Sequence, residues 1–143
     1  LQFPSFGGAD TNRDFLGRHV ELDPATGDLR ADWESVRTLT QEVLDDGRGE
    51  TQFEGYFGPT TVAEVIDRFY GTDLLVHRWD IARAAGTPEH ERLDDADAAH
   101  YLEVAHANGD ALRMDGVCGP EVLAPADATT GERLIAFLGR QPR

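Results

Sequence analysis

Lysine is absent from this sequence: all 13 basic residues are arginine, and they stand against 27 acidic ones, for a formal net charge of -14. A field of that sign repels phosphate backbones, and no basic stripe with interleaved aromatics offsets it. The balance therefore argues against nucleic-acid binding and disfavours anionic membrane surfaces. The arginine-only usage, beside abundant Ala, Gly and Asp, reads as the product of a GC-rich genome and not as arginine-specific chemistry. Cysteine is nearly absent too. Cys118 stands alone, which excludes an internal disulfide framework and suits a reducing compartment; a partly buried structural thiol is its ordinary reading. No apolar run approaches the roughly 20 residues of a membrane span, and no signal-peptide pattern appears. A cytoplasmic protein with no membrane partner is expected. The chain opens at Leu1 without an initiator Met, and residues 1–10, with Pro4 and the pair Gly7-Gly8, read as a truncation or an irregular lead-in.

What remains is globular. With 143 residues and 40% hydrophobic composition, the chain reads as one domain, 1–143, with one core. A short helix is expected from Thr11 to His19, then a turn cluster from Asp23 to Asp28. From Leu29 to Asp46 the residues Trp33, Val36, Leu39, Thr40 and Val43 recur at helical spacing, and Gly47 and Gly49 end that helix. Phe53, Tyr56 and Phe57, interrupted by Gly55 and Gly58, form a short extended link or a strand pair at most. Thr60 or Thr61 with Glu64 is a helix-start signature, opening a long helix that should run to Ala85 and stop at Gly86. Further helices are expected from Asp94 or Asp95 to about Met114 and from Thr130 to Gly139. The fold class is all-α, a helical bundle with a short extended link before the long central helix.

That central helix carries the candidate chemistry. Advancing about 100° per residue, it places Val62, Val65, Ile66, Phe69, Val76 and Ala84 on one arc, the face expected to be buried, with Arg68, Leu74 and Arg78 off it. Asp73, His77 and Asp80 fall on the same arc, where ionisable groups are costly unless paired, hydrogen-bonded or bound to a cation. Asp73 and His77 stand at i and i+4, so they can converge on one ion. A carboxylate and a neutral imidazole suit Zn²⁺, Ni²⁺ or Fe²⁺ better than Ca²⁺ or Mg²⁺. Asp80, one turn further on, can accept the free ring N–H of His77 as an outer partner. The alternative for all three residues is a buried Asp–His–Asp hydrogen-bond network with no metal.

The run from Asp73 through His77, Arg78, Trp79 and Asp80 to Gly86 resembles the signature helix of the DinB-like superfamily, in its branch related to mycothiol-dependent maleylpyruvate isomerases. The segments Arg13–His19 and Arg133–Pro142 are similar to the end of that family's second helix and to its closing helix, so the resemblance covers nearly the whole chain from Arg13 onward. It implies a four-helix bundle holding a divalent metal through an acid-x-x-x-His pair on the third helix, matched here by Asp73 and His77, and a His from the second. Where that third ligand is expected the sequence reads Ser5-Phe6-Gly7-Gly8-Ala9, without a His. The family's first helix has no counterpart either, as in an N-terminally truncated bundle, whose exposed apolar surface a partner such as a second copy would cover.

The implied function is divalent-metal binding, Zn or Ni first and Fe next. With it comes a thiol-dependent S-transferase or isomerase activity, using a low-molecular-weight thiol of the mycothiol type and an electrophilic substrate. The alternatives are a non-catalytic metal- or ligand-binding module, or a degenerate copy with a metal-free polar network. Other candidates are weaker. Glu103 and His106 form an acid-x-x-His pair, but the apolar arc of their helix runs through Ala98, Tyr101, Leu102, Ala105 and Leu112 and leaves Glu103 outside and His106 at the edge. His19, His90 and His100 read as solvent-exposed, and neither a phosphate loop nor a nucleophile elbow is present.

Overall fold

The computed structural model describes residues 27–55 and 58–142. The lead-in, the helix expected over Thr11–His19, the start of the Asp23 turn cluster, the segment Ser5–Ala9, and Tyr56 and Phe57 lie outside the described residues. The chain separates into two compact units, one ending at Asp67 and the other beginning at Arg68.

In the first unit, helix α1 spans Leu29–Asp45. Asp28 caps it, its carboxylate accepting from the backbone N–H of Arg30 and Ala31, both at 3.1 Å, which satisfies donors that have no partner inside the helix. Gly47 ends it in the left-handed conformation (φ 86°), leading into a 3₁₀ turn at Arg48–Glu50. Strands β1 (Gln52–Gly55) and β2 (Gly58–Thr61) pair antiparallel, with Gln52 opposite Thr61 and Gly55 opposite Gly58. The expected extended link is thus a hairpin. Thr61 then caps α2 (Val62–Val65) in a capping box: its hydroxyl accepts from Glu64 N–H at 3.2 Å, and the Glu64 carboxylate accepts from Thr61 N–H at 2.9 Å. Val43 and Val62 are buried, but Trp33 remains 49% exposed. The 3₁₀ turn packs on α1, where Val43 is buried, Val36 and Leu39 are half-buried and Trp33 is exposed, so the apolar stripe expected along α1 is covered most completely toward its C-terminal end.

The long helix expected over Thr60–Ala85 differs in two ways. Thr60 and Thr61 belong to β2, and the helical backbone that follows contains a π-helical turn, Ile66–Gly71, before α3 (Thr72–Ala85). Gly71 itself is helical (φ -61°, ψ -46°). A side chain there would collide with the Tyr101 hydroxyl, which lies against its backbone. The Thr72 hydroxyl donates to the carbonyl of Arg68 at 2.8 Å, drawing on an oxygen of the same turn.

In the second unit, Gly86 (φ 70°) closes α3 and a 3₁₀ turn follows at Pro88–His90. Asp94 caps α4 (Asp95–Ala107), Asn108 interrupts it, and α5 (Gly109–Leu112) completes what the sequence reads as one helix to Met114. Thr129 and Glu132 form a second capping box that opens α6 (Thr130–Phe137). Helices α4 and α6 pack along each other. Leu134 and Ile135 are fully buried at their seam, with Val76, Trp79, Leu93, Ala98, Ala105 and Leu138 around them; each such Leu or Ile contributes about 1.5–3 kcal/mol of transfer free energy. Among the described residues the chain is mostly helical, with one small two-stranded sheet, which is compatible with the all-α class. No helix among the described residues is long and apolar enough to cross a membrane.

Candidate functional site

Helix α3 buries Val76, Trp79 and Ala82 against the core of the second unit. These positions centre on a direction about 100° from the arc read off the sequence. Val62, Val65 and Ile66, from which that arc was carried forward, belong to the first unit, whereas α3 packs on the core of the second, and that core sets which of its residues are buried. The π turn between them does not supply the offset: an extra residue in the helical count moves a buried face one position later, and the residues buried here lie one position earlier. Trp79, off the expected arc, becomes core, and Ala84, on it, becomes exposed. Arg68, Leu74 and Arg78 are exposed as expected.

The correction falls on the candidate site. His77 does not face the interior: its side chain is 56% exposed. Asp73 and Asp80 sit at the margin of the buried face, both partly covered. The three groups form the border between core and solvent, so the argument that burial forces them to pair applies to the two acids and not to the imidazole.

Asp80 has the most defined surroundings. Arg140 grips it in a two-pronged contact, Nε to Oδ1 at 2.7 Å and Nη2 to Oδ2 at 2.8 Å, while the His77 Nδ1 lies 3.2 Å from Oδ2. Burial pushes the Asp80 carboxyl up, but hydrogen bonds from Arg140 and His77, together with their charges, outweigh it and hold the group below its usual range. Asp73 has the opposite fate. Burial raises its carboxyl, and the more distant charges of His77 and Arg140 pull it down only in part. Tyr70, one turn before it, is raised by burial and by the Asp73 charge. The Arg140 guanidinium is raised, first by its hydrogen bond to Asp80 and in smaller part by the nearby Cys118, a partly buried thiol as expected. Two carboxyls two turns apart on one helix are thus pushed in opposite directions, the perturbation that marks a candidate functional site.

Sequence reasoning placed Asp73, His77 and Asp80 within two turns; the structure brings His77 and Asp80 into contact at 3.2 Å, and Asp73 is near enough to feel the His77 charge. That reasoning missed Arg140. A local signal for that residue existed: the terminal apolar run ends in Gly139-Arg140, a helix-stop pattern whose second residue is directed by the cap. Nothing local links it to Asp80, 60 positions away. Glu103 and His106 are exposed, with the His106 ring edge-on to Phe137 at 4.5 Å, and His90 and His100 are exposed as read. His19 lies outside the described residues. Among the described residues no three His, Cys, Asp or Glu side chains gather in a metal-sized cluster. A groove of about 660 Å³ lies elsewhere, along Leu75, Arg78, Arg92 and Leu93 and several acids, and does not include the three site residues. Compared with protein-family models, curated proteins and solved structures, the chain shows no significant match.

Proposed function

We propose that Asp73 and His77 hold a divalent transition metal, Zn or Ni in preference to Fe, in a helical bundle of the DinB-like type. The observation that carries this reading is the Asp73 carboxyl, penalised by burial and one helical turn from an imidazole with an exposed edge. A cation relieves that penalty, and the donor set of one carboxylate and one neutral nitrogen fits these metals. Asp80 is turned toward His77 and Arg140, which leaves it an orienting role. The resemblance around Asp73–Gly86 supports a thiol-dependent transferase or isomerase, with a small thiol of the mycothiol type and an electrophile as substrates. A bound ion would supply the acidity that turns such a thiol into a thiolate. On the protein side, Asp73 and His77 bind through deprotonated atoms, and water or a further donor completes the shell.

The test is elemental analysis and calorimetry on the wild type, His77→Ala and Asp73→Asn, followed by thiol-dependent turnover assays on the metal-loaded protein. The expected result is one divalent ion per chain, lost in both variants, with affinity falling as pH drops through the imidazole range. Equal uptake by all three proteins would place the ion elsewhere. Uptake without turnover would favour a non-catalytic binding module. A second reading is favoured by the ion pair itself: Asp80 joined to both Arg140 and His77 is a complete polar network without metal. No uptake by any of the proteins would leave that reading standing.

A further inference from the structure

The C-terminal end of α6 belongs to the same site. Leu138 is the last helical cap residue, Gly139 is left-handed (φ 81°), and two hydrogen bonds run back into the helix, Gly139 N–H to Ala136 O and Arg140 N–H to Ile135 O, both 3.0 Å. This is the Schellman pairing, in which the backbone of the residue two beyond the cap is tied to the helix by a hydrogen bond. Here that residue is Arg140. Gly139 is required twice over, by its positive φ and because a Cβ there would stand 2.8 Å from the Gly119 carbonyl oxygen. The guanidinium is braced further by Nη1 donating to the Leu138 carbonyl at 3.2 Å. Its fork meets both oxygens of Asp80, a geometry that fixes the carboxylate plane in a way a single hydrogen bond cannot. One of those oxygens, Oδ2, faces Nδ1 of His77.

We infer that Arg140 is a positioning residue which, through Asp80, fixes the neutral His77 ring with its proton on Nδ1 and its lone pair on Nε2. A clamped carboxylate oxygen accepts only, so the nitrogen facing it must donate, and the other nitrogen, on the far side of the ring, is the one presented to an ion or a proton donor. Arg140 touches no ligand in this arrangement; it sets which atom of His77 is offered. The inference deepens the metal-binding reading and rests on it for its purpose, but the tautomer is a property of the metal-free protein.

The experiment is a two-bond ¹H–¹⁵N correlation of the imidazole nitrogens in metal-free, uniformly ¹⁵N-labelled protein, at a pH where imidazoles are neutral. It compares the wild type with Arg140→Gln, Arg140→Lys, Gly139→Ala and Asp80→Ala. The wild type is expected to show His77 protonated on Nδ1. Asp80→Ala and Arg140→Gln should move the ring toward the Nε2–H form, Gly139→Ala should follow them, and Arg140→Lys should recover part of the wild-type pattern. In parallel, Arg140→Gln should bind Zn²⁺ about 10–100-fold more weakly than the wild type. A wild-type ring protonated on Nε2, or a folded Arg140→Gln protein with the wild-type pattern, would overturn the inference. If Arg140→Gln does not fold, the Arg140→Lys and Gly139→Ala spectra decide in its place, and an unchanged wild-type pattern in both overturns the inference. An Nδ1–H ring in a protein that takes up no metal would overturn the metal reading and leave the relay intact; uptake by a protein with an Nε2–H ring would do the reverse.

Discussion

The seam between α4 and α6 and the border of α3 lie in the same unit and obey different physics. At the seam, Leu134, Ile135, Ala98 and Ala105 are sealed from solvent and no charged group intrudes. Packing there is insensitive to pH, and its contribution scales with buried area. Along the border of α3, Asp73, His77 and Asp80 stand beside the buried Val76 and Trp79, close enough to the interior for burial to matter and close enough to water for protons and ions to arrive. The seam supplies rigidity, and the border supplies groups whose charge state responds to the surroundings.

Substitutions should separate the two regions cleanly. The largest losses belong to the core: Trp79→Ala should cost about 3–5 kcal/mol and Ile135→Ala about 2–5 kcal/mol in denaturant melts, by lost transfer energy plus the cavity left behind. Values near zero at either position would break the comparison. A smaller effect, of opposite sign at two neighbouring acids, should appear with pH. Asp73 is raised from 3.8 in the folded protein, so its contribution is fully present below the usual carboxylate range and is lost as pH rises through the raised value. Asp80 is lowered from 3.8, so its contribution is present above that value and lost as pH falls through the lowered one. In metal-free protein at neutral pH, Asp73→Asn should therefore raise the urea midpoint and Asp80→Asn lower it, and both differences should shrink toward pH 3. Shifts of the same sign would show that the border does not divide the two acids. Smallest of all, Ile81→Ser and Leu123→Ser, at side chains 68% and 91% exposed, should stay within about 0.5 kcal/mol.

Much of the local structure was legible because it depends on local chemistry. Asp28 at the start of α1, Thr61 with Glu64, Gly86 and Asp94 all cap or stop helices within two residues of where the sequence places them. The apolar arc of α4 through Ala98, Tyr101, Leu102 and Ala105 was also readable, because its helix is regular over that stretch and the phase never slips. Two kinds of information were not available. Periodicity carries one face along a whole helix, whereas Val62, Val65 and Ile66 belong to one unit and α3 packs on the core of the other, a division that no local pattern announces. The Arg140 contact to Asp80 likewise joins elements far apart in the chain. Trp33 shows the same limit on α1: spacing selects a face, but what covers it is decided by other segments.

The π turn has a consequence for how this chain tolerates insertions and deletions. An i→i+5 turn holds one residue more than ordinary helical spacing needs, so Ile66–Gly71 stores spare length inside a helix. Removing one residue there would let the turn close to ordinary spacing and leave the faces of α3 in register with one another. Within α3 there is no such reserve: removing one residue between Asp73 and Val76 would turn Asp73 by about 100° away from His77 and Asp80. A one-codon deletion is therefore absorbed in the π turn and, a few residues later, acts on the chemistry of α3 as strongly as replacing its polar residues outright.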